Sequence, residues 1–203
     1  GFGWVGRGVA LRAKGMGSMV IVTEVNAVRA LEALMEGFEV MPMDEAAKVG
    51  DLFITATGCI DIITGAHMLR MRDKAILCNV GHYNVEVSVK ELERLAVRKK
   101  QVRAEVTEYT LKDGKRLYLL SEGRLVNLAA ADGHPAEVMD MSFADQALSA
   151  EFLTRRSGGL VTKVIPVPEE IDMEVARKRL QAFGRRIDKP TPAQKKYLQS
   201  WQF

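Results

Sequence analysis

The chain has 203 residues, 47% hydrophobic and 27% charged, with 29 basic and 26 acidic side chains that leave a formal charge of +3. That length fills one large domain, or one and a half small ones, around a sizeable core. The balance excludes a disordered chain, a collagen-like fibre and a disulfide scaffold, and the small, dispersed excess of positive charge gives no footprint for nucleic acid.

Residues 1–8 read G-F-G-W-V-G-R-G, and a helix to about Lys14 is predicted after them, with Gly15 and Gly17 placed to end it. Ser18 to Val25 is β-rich and almost continuously apolar. Ala27 to Glu36 carries Val28, Leu31, Ala33, Leu34 and Met35 at helical spacing, and Gly37 stands where a C-terminal cap belongs. Phe38 to Met43 predicts a strand, Asp44 to Val49 a short helix, Asp51 to Ala56 a strand, Thr64 to Met71 a helix and Lys74 to Asn79 a strand. Strands apolar on both faces, separated by short helices, imply a parallel sheet covered on both sides.

The pattern then changes. Ser88 to Val97 reads as a helix, Val102 to Leu111 and Lys115 to Leu120 flank Asp113-Gly114 as a hairpin, and Gly123 to Leu128 reads as a short strand. A boundary is expected at residues 130–136, around Gly133 and Pro135. Beyond it, Ser142 to Arg155 predicts an amphipathic helix and Val161 to Val167 an extended segment. Glu169 to Phe183 predicts a charged helix, and Thr191 to Trp201 a short terminal one. Cys59 and Cys78 have no partners at zinc spacing, so reduced thiols, no metal and a cytoplasmic location are expected. No apolar run is long enough to span a membrane, and no basic start followed by an apolar stretch marks a signal peptide in these residues, so neither is expected.

Gly1, Gly3 and Gly6 satisfy G-x-G-x-x-G, and Gly8 adds a fourth glycine. In such a turn the first glycine permits a tight bend, the second admits a pyrophosphate close to the backbone, and the third lets helix and strand pack closely. The following helix points its free N–H groups at the phosphates. Glu24 lies near the end of the next predicted strand, 18 residues after Gly6. A carboxylate there accepts hydrogen bonds from the adenosine ribose of NAD and repels a 2′-phosphate, which favours NAD over NADP. The structural alternative is a glycine-rich loop beside a solvated Glu. The fingerprint also calls for a strand immediately before Gly1, which the sequence does not contain. The expectation is therefore a fragment, or a strand supplied by a partner segment.

T-A-T-G-C (Thr55 to Cys59) and C-N-V-G-H (Cys78 to His82) end two predicted strands, at the carboxyl edge where ligands of open α/β sheets gather. Together with V-T-E-V, A-L-E-A-L-M-E-G-F-E-V, A-I-L-C-N-V-G-H-Y-N-V-E, E-G-R-L-V-N-L and G-H-P, these segments resemble the S-adenosylhomocysteine hydrolase (adenosylhomocysteinase) family, in family order from residue 1 to about 135. The resemblance implies an α/β fold: a Rossmann-type doubly wound parallel sheet lacking its first strand, plus a C-terminal helical segment belonging to the substrate domain and tail. It implies an NAD-binding domain at 1–132, a return segment to the substrate domain at 133–175 and a helical tail at 176–203. It also implies reversible hydrolysis of S-adenosylhomocysteine to adenosine and homocysteine, by way of transient oxidation of the ribose 3′-hydroxyl by tightly held NAD. A homotetramer in the cytoplasm, part of one-carbon metabolism and without nucleic-acid or membrane partners, goes with that activity.

Carried onto this sequence, the resemblance assigns Gly3, Trp4, Val5, Gly6, Arg7 and Gly8 to the pyrophosphate and Glu24 to the adenosine ribose. Thr55, Ala56 and Thr57 become neighbours of the dinucleotide, Val80, Gly81 and His82 line its nicotinamide side, and Asn127 and His134 lie near nicotinamide and hinge. His82 and His134 also become candidates to meet substrate. Structural readings stand beside these: Asn127 as a strand-end cap, His134 as a hinge residue bonded to backbone. Three positions depart from the family pattern. Arg29 stands where an Asn is usual, Asp132 replaces a Met before G-H-P and leaves the purine base open to hypoxanthine, and the tail lacks the usual Lys…Tyr spacing, so Lys196 and Tyr197 receive no role. The family's acid–base residues lie mainly in an N-terminal substrate domain, so no catalytic residue is assigned here and the polypeptide alone is expected to be inactive. The alternatives are a non-catalytic NAD-binding interaction protein of the same fold and a 2-hydroxyacid dehydrogenase, which G-R-L-V-N argues against.

Overall fold

The computed structural model describes residues 1–156 and 163–200 and divides into two units, Gly1–Gly133 and His134–Phe203. In the first unit, α1 (Trp4–Gly15) leads into β1 (Ile21–Val22), α2 (Ala27–Met35), β2 (Glu39–Val40) and α3 (Met43–Val49). Then come β3 (Leu52–Thr55), α4 (Gly65–Arg70), β4 (Ala75–Asn79) and α5 (Val89–Leu95). β5 (Ala96–Arg103), β6 (Val106–Leu111), β7 (Arg116–Leu120) and the four-residue helical turn α6 (Val126–Ala129) complete it.

The strands form two ladders. β1 and β2 pair in parallel, and a five-stranded sheet runs in the order β3-β4-β7-β6-β5. β3, β4 and β7 are mutually parallel, while β6 and β5 extend the sheet antiparallel. The expected α/β architecture is present, parallel where helices connect the strands and antiparallel where hairpins do.

The sequence explains the difference. β4 (A-I-L-C-N) is apolar on both faces and lies between two parallel neighbours, nearly all of it buried. β6 and β7 alternate buried and half-buried residues, as strands covered on one face do. Register aligns Phe53, Leu77 and Leu119 across three strands, and all three are buried beside Met68, Leu92 and Leu117. Each such side chain contributes about 1.5–3 kcal/mol by burial. A second cluster joins Phe2, Ala10, Val22, Ala33 and Phe38 under the glycine turn, with the Phe2 and Phe38 rings edge-on at 5.6 Å.

Four predicted elements come out differently. The helix over 88–97 stops at Leu95, and Ala96 to Arg103 becomes a strand; its residues A-V-R-K-K-Q-V-R carry no clear apolar period, and pairing with β6 makes them extended. The strand expected over Gly123–Leu128 shrinks to a single bridge between Leu125 and Asn79, followed by α6. Ser121, Glu122 and Gly123 all have positive φ, which turns the chain out of the sheet before a ladder can grow. β1 and β2 are two residues long rather than eight and six, because each has one ladder partner among the described residues.

The second unit is helical: α7 (Ala136–Arg155), α8 (Glu169–Ala182) and α9 (Pro192–Leu198). α7 starts six residues before the predicted Ser142, directly after Pro135, whose fixed φ suits a helix entry. It packs on α8 through the buried Val175 region, and Arg179 reaches Asp140 at 3.2 Å. α9 opens with a capping box between Thr191 and Gln194 and Pro192 in its first turn. In the extended segment predicted over 161–167, residues 161 and 162 lie outside the described residues, as does Trp201 of the terminal helix; 163–168 has neither helix nor strand.

Candidate functional site

The glycines of the opening turn do different work. A Cβ on Gly6 would lie 2.0 Å from the Gly1 carbonyl oxygen, and one on Gly1 would lie 2.9 Å from that of Ala56. Neither position tolerates a side chain, so the turn closes against the end of β3. A Cβ on Gly3 meets only the Arg29 guanidinium, at 3.4 Å, and one on Gly8 meets nothing. Gly3 therefore keeps a space open rather than a packing contact.

That space faces the start of α1. Gly3 caps the helix without a side-chain acceptor, and the first turn holds no acidic residue. The first intrahelical bond is from Arg7 N–H to the Gly3 carbonyl, so the amides of Gly3, Trp4, Val5 and Gly6 have no acceptor among the described residues. Four free donors at the positive end of a 12-residue helix make a place for an anion. Arg7 is turned elsewhere, its guanidinium 2.5 Å from Glu36.

Glu24 borders the same turn. One of its oxygens accepts from Phe2 N–H at 2.6 Å, the other from the amides of Val25 and Asn26 at 2.7 and 2.9 Å. Burial raises its pKa, but the amides of Asn26, Phe2 and Val25 outweigh that and hold the carboxyl below its ordinary value. An ionised carboxylate offers about four lone-pair sites, so three bonds leave room for a further donor such as a ribose hydroxyl. Asn26 caps α2 by accepting from Val28 and Arg29, which sets the guanidinium of Arg29 beside Gly3.

The second part of the site is built from the ends of β3 and β4. Asn79, fully buried, donates through Nδ2 to the carbonyls of Gly81, Tyr83 and Gly123 at 3.2, 2.9 and 2.8 Å. Its Oδ1 accepts from Gly81 N–H at 2.7 Å and from the Thr55 hydroxyl at 2.9 Å. Glu86, 1% exposed, accepts from the amides of Thr57 and Gly58 and from the Thr57 hydroxyl, at 2.9, 2.8 and 2.7 Å. A Cβ on Gly81 would lie 1.8 Å from Glu86 Oε1, so only glycine lets the 79–86 loop fold over this carboxylate.

Gly1 thus closes against Ala56 and Thr57, Glu24 holds the same turn at Phe2, and Thr57 is tied through Glu86 to the 79–86 loop, all at the surface along the carboxyl edge of the strands. Thr55 is buried and spends its hydroxyl on Asn79 rather than on that surface. His82 is exposed, edge-on to Tyr83 at 4.6 Å. Asn127 is half-buried in α6, next to the Leu125 bridge, and His134 is exposed at the start of the second unit. Sequence reasoning left Asn79 and Glu86 without roles. The available signal was a polar residue closing an apolar strand and a Glu between two valines, Val85 and Val87.

Among the described residues no group of three or more His, Cys, Asp or Glu is placed to hold a metal. Burial pushes the Cys78 thiol up to about 11, which makes it a poor nucleophile at neutral pH. No helix among the described residues is long and apolar enough to cross a membrane. The donor set fits a dinucleotide: free amides for a pyrophosphate, an open cradle above Gly3 and a carboxylate one strand away.

Comparison with known proteins agrees. A family model described as the NAD binding domain of S-adenosyl-L-homocysteine hydrolase matches residues 1–133. Over the whole chain, identity is 60% to the adenosylhomocysteinase of Aquifex aeolicus (strain VF5) and 59% to that of Saccharolobus solfataricus. It is 56% to the S-inosyl-L-homocysteine hydrolase of Methanocaldococcus jannaschii. In each case all of this chain is matched but 48% of the relative, so the chain spans about half the length of those proteins. The cofactor is NAD, and the chain belongs to the S-adenosyl-L-homocysteine hydrolase family, of which residues 1–133 are the NAD-binding domain.

Proposed function

We propose that this chain supplies the NAD site of an enzyme that reversibly hydrolyses S-adenosyl-L-homocysteine to adenosine and L-homocysteine. The observation that carries the reading is the set of free amides at Gly3–Gly6 beside the bonded carboxylate of Glu24. In this reading those amides hold the pyrophosphate and Glu24 takes the adenosine ribose. The turn at Ala56–Thr57 and the backbone of Val80, Gly81 and His82 line the nicotinamide end. Bound NAD supplies a hydride acceptor for the substrate 3′-carbon. The protein's part is to orient that acceptor and to exclude water from it. Asn79 and Glu86 fix the two loops that do the orienting, through backbone bonds rather than contact with ligand. Assembly as a homotetramer in the cytoplasm belongs to the same proposal.

The test is made on the full-length protein. Purified protein carrying NAD converts S-adenosylhomocysteine to adenosine and homocysteine, followed by chromatography and a thiol assay. The same assay with S-inosylhomocysteine decides the purine base, which Asp132 and the similarity to a relative named S-inosyl-L-homocysteine hydrolase leave as a second reading. Protein that binds NAD yet cleaves neither thioether overturns the hydrolase reading.

A further inference from the structure

Glu86 is a buried carboxylate with no cationic partner among the described residues. It is 1% exposed, and its three close donors, the amides of Thr57 and Gly58 and the Thr57 hydroxyl, are all neutral. No Lys, Arg or His among the described residues forms an ion pair with it. A carboxylate away from water with no ion-pair partner is costly, even where three neutral donors hold its two oxygens. The charge itself therefore needs a physical reason.

That reason lies directly above the carboxylate. The Gly81 backbone passes so close that a Cβ there would sit 1.8 Å from Glu86 Oε1, and Asn79 pins this backbone by accepting from Gly81 N–H and donating to its carbonyl. Val80, Gly81 and His82 are the residues assigned above to the nicotinamide end, so one thickness of backbone separates the carboxylate from that place. The oxidised nicotinamide ring is cationic and the reduced ring is neutral. A fixed negative charge at short range, in a region with little water, distinguishes the two.

We propose that Glu86, besides positioning the Thr57–Gly58 turn, uses its buried charge beneath Gly81 to stabilise the oxidised form of bound NAD relative to the reduced form, and so sets how readily the cofactor takes a hydride. The proposal rests on the NAD-site reading given above.

The experiment measures Kd for NAD+ and for NADH by titration calorimetry on the full-length protein. The variants are Glu86→Gln and Glu86→Met, which remove the charge, and Glu86→Asp, which keeps it; circular dichroism establishes which are folded. Removing the charge raises the ratio Kd(NAD+)/Kd(NADH) about tenfold. Glu86→Asp leaves that ratio within about threefold of the parent, although both affinities fall as the Thr57–Gly58 turn loosens. Equal loss for both ligands in the neutral variants, or a ratio in Glu86→Asp that moves as far as in Glu86→Gln, overturns the proposal while leaving the NAD site standing. A parent protein that binds neither dinucleotide overturns the site reading and this proposal with it.

Discussion

Around the glycine turn, the amides of Gly3, Trp4, Val5 and Gly6 have no acceptor within the described chain, whereas at the end of β4 the side chains of Asn79 and Glu86 are fully engaged with backbone and Thr hydroxyls. The first region leaves its hydrogen-bonding capacity unspent among the described residues. The second spends its capacity on holding loops. Unspent and spent polar groups are thus separated along one sheet edge, and if the first region is the NAD site proposed above, substitutions in the two regions should fail in different ways.

The sharpest separation comes from Gly3→Val. Gly3 has extended backbone that a valine adopts, and its Cβ meets only the movable Arg29 guanidinium. The fold should keep its stability within about 0.5 kcal/mol, as surface substitutions do, while the purified protein loses its NAD entirely. Mutant protein that still carries NAD, measured by release and absorbance, would break the comparison at its recognition end.

Asn79→Ala should act on the fold first. It strands Gly81 N–H and the carbonyls of Tyr83 and Gly123 in a buried place. A loss of about 3 kcal/mol in urea unfolding is expected, the upper end for unsatisfied buried groups, with weaker NAD binding as a consequence. Unchanged stability would mean that the loop holds itself without this amide.

Glu24→Ala is the smallest of the three. NAD affinity should fall by about 1–3 kcal/mol, the scale of a lost charge-assisted bond, read by calorimetry. The melting temperature should move less than in Asn79→Ala, because the amides of Val25 and Asn26 lie at the exposed surface and turn to water. A larger effect on melting than on NAD affinity would make Glu24 a supporting residue, not a ligand.

The glycine turn, the helix after it and the carboxylate after the next apolar run were legible in the sequence because their requirements are local. The β3 and β4 strands were legible for a similar reason, being short runs apolar on both faces. The support region was not. Asn79 gains its meaning from Gly123, 44 residues away, and Glu86 from Thr57, 29 residues away. Spacing within one segment carries no trace of such pairings. β5 escaped notice for the same reason, since only its ladder with β6 makes Ala96 to Arg103 a strand.

That strand has an effect of its own. β5 is the last in its sheet, and almost all of its side chains are exposed. Along it stand Arg98, Lys99, Lys100 and Arg103. Bringing two copies together rim to rim would crowd like charges against one another, so an otherwise sticky border repels its own kind and guards the molecule against aggregation.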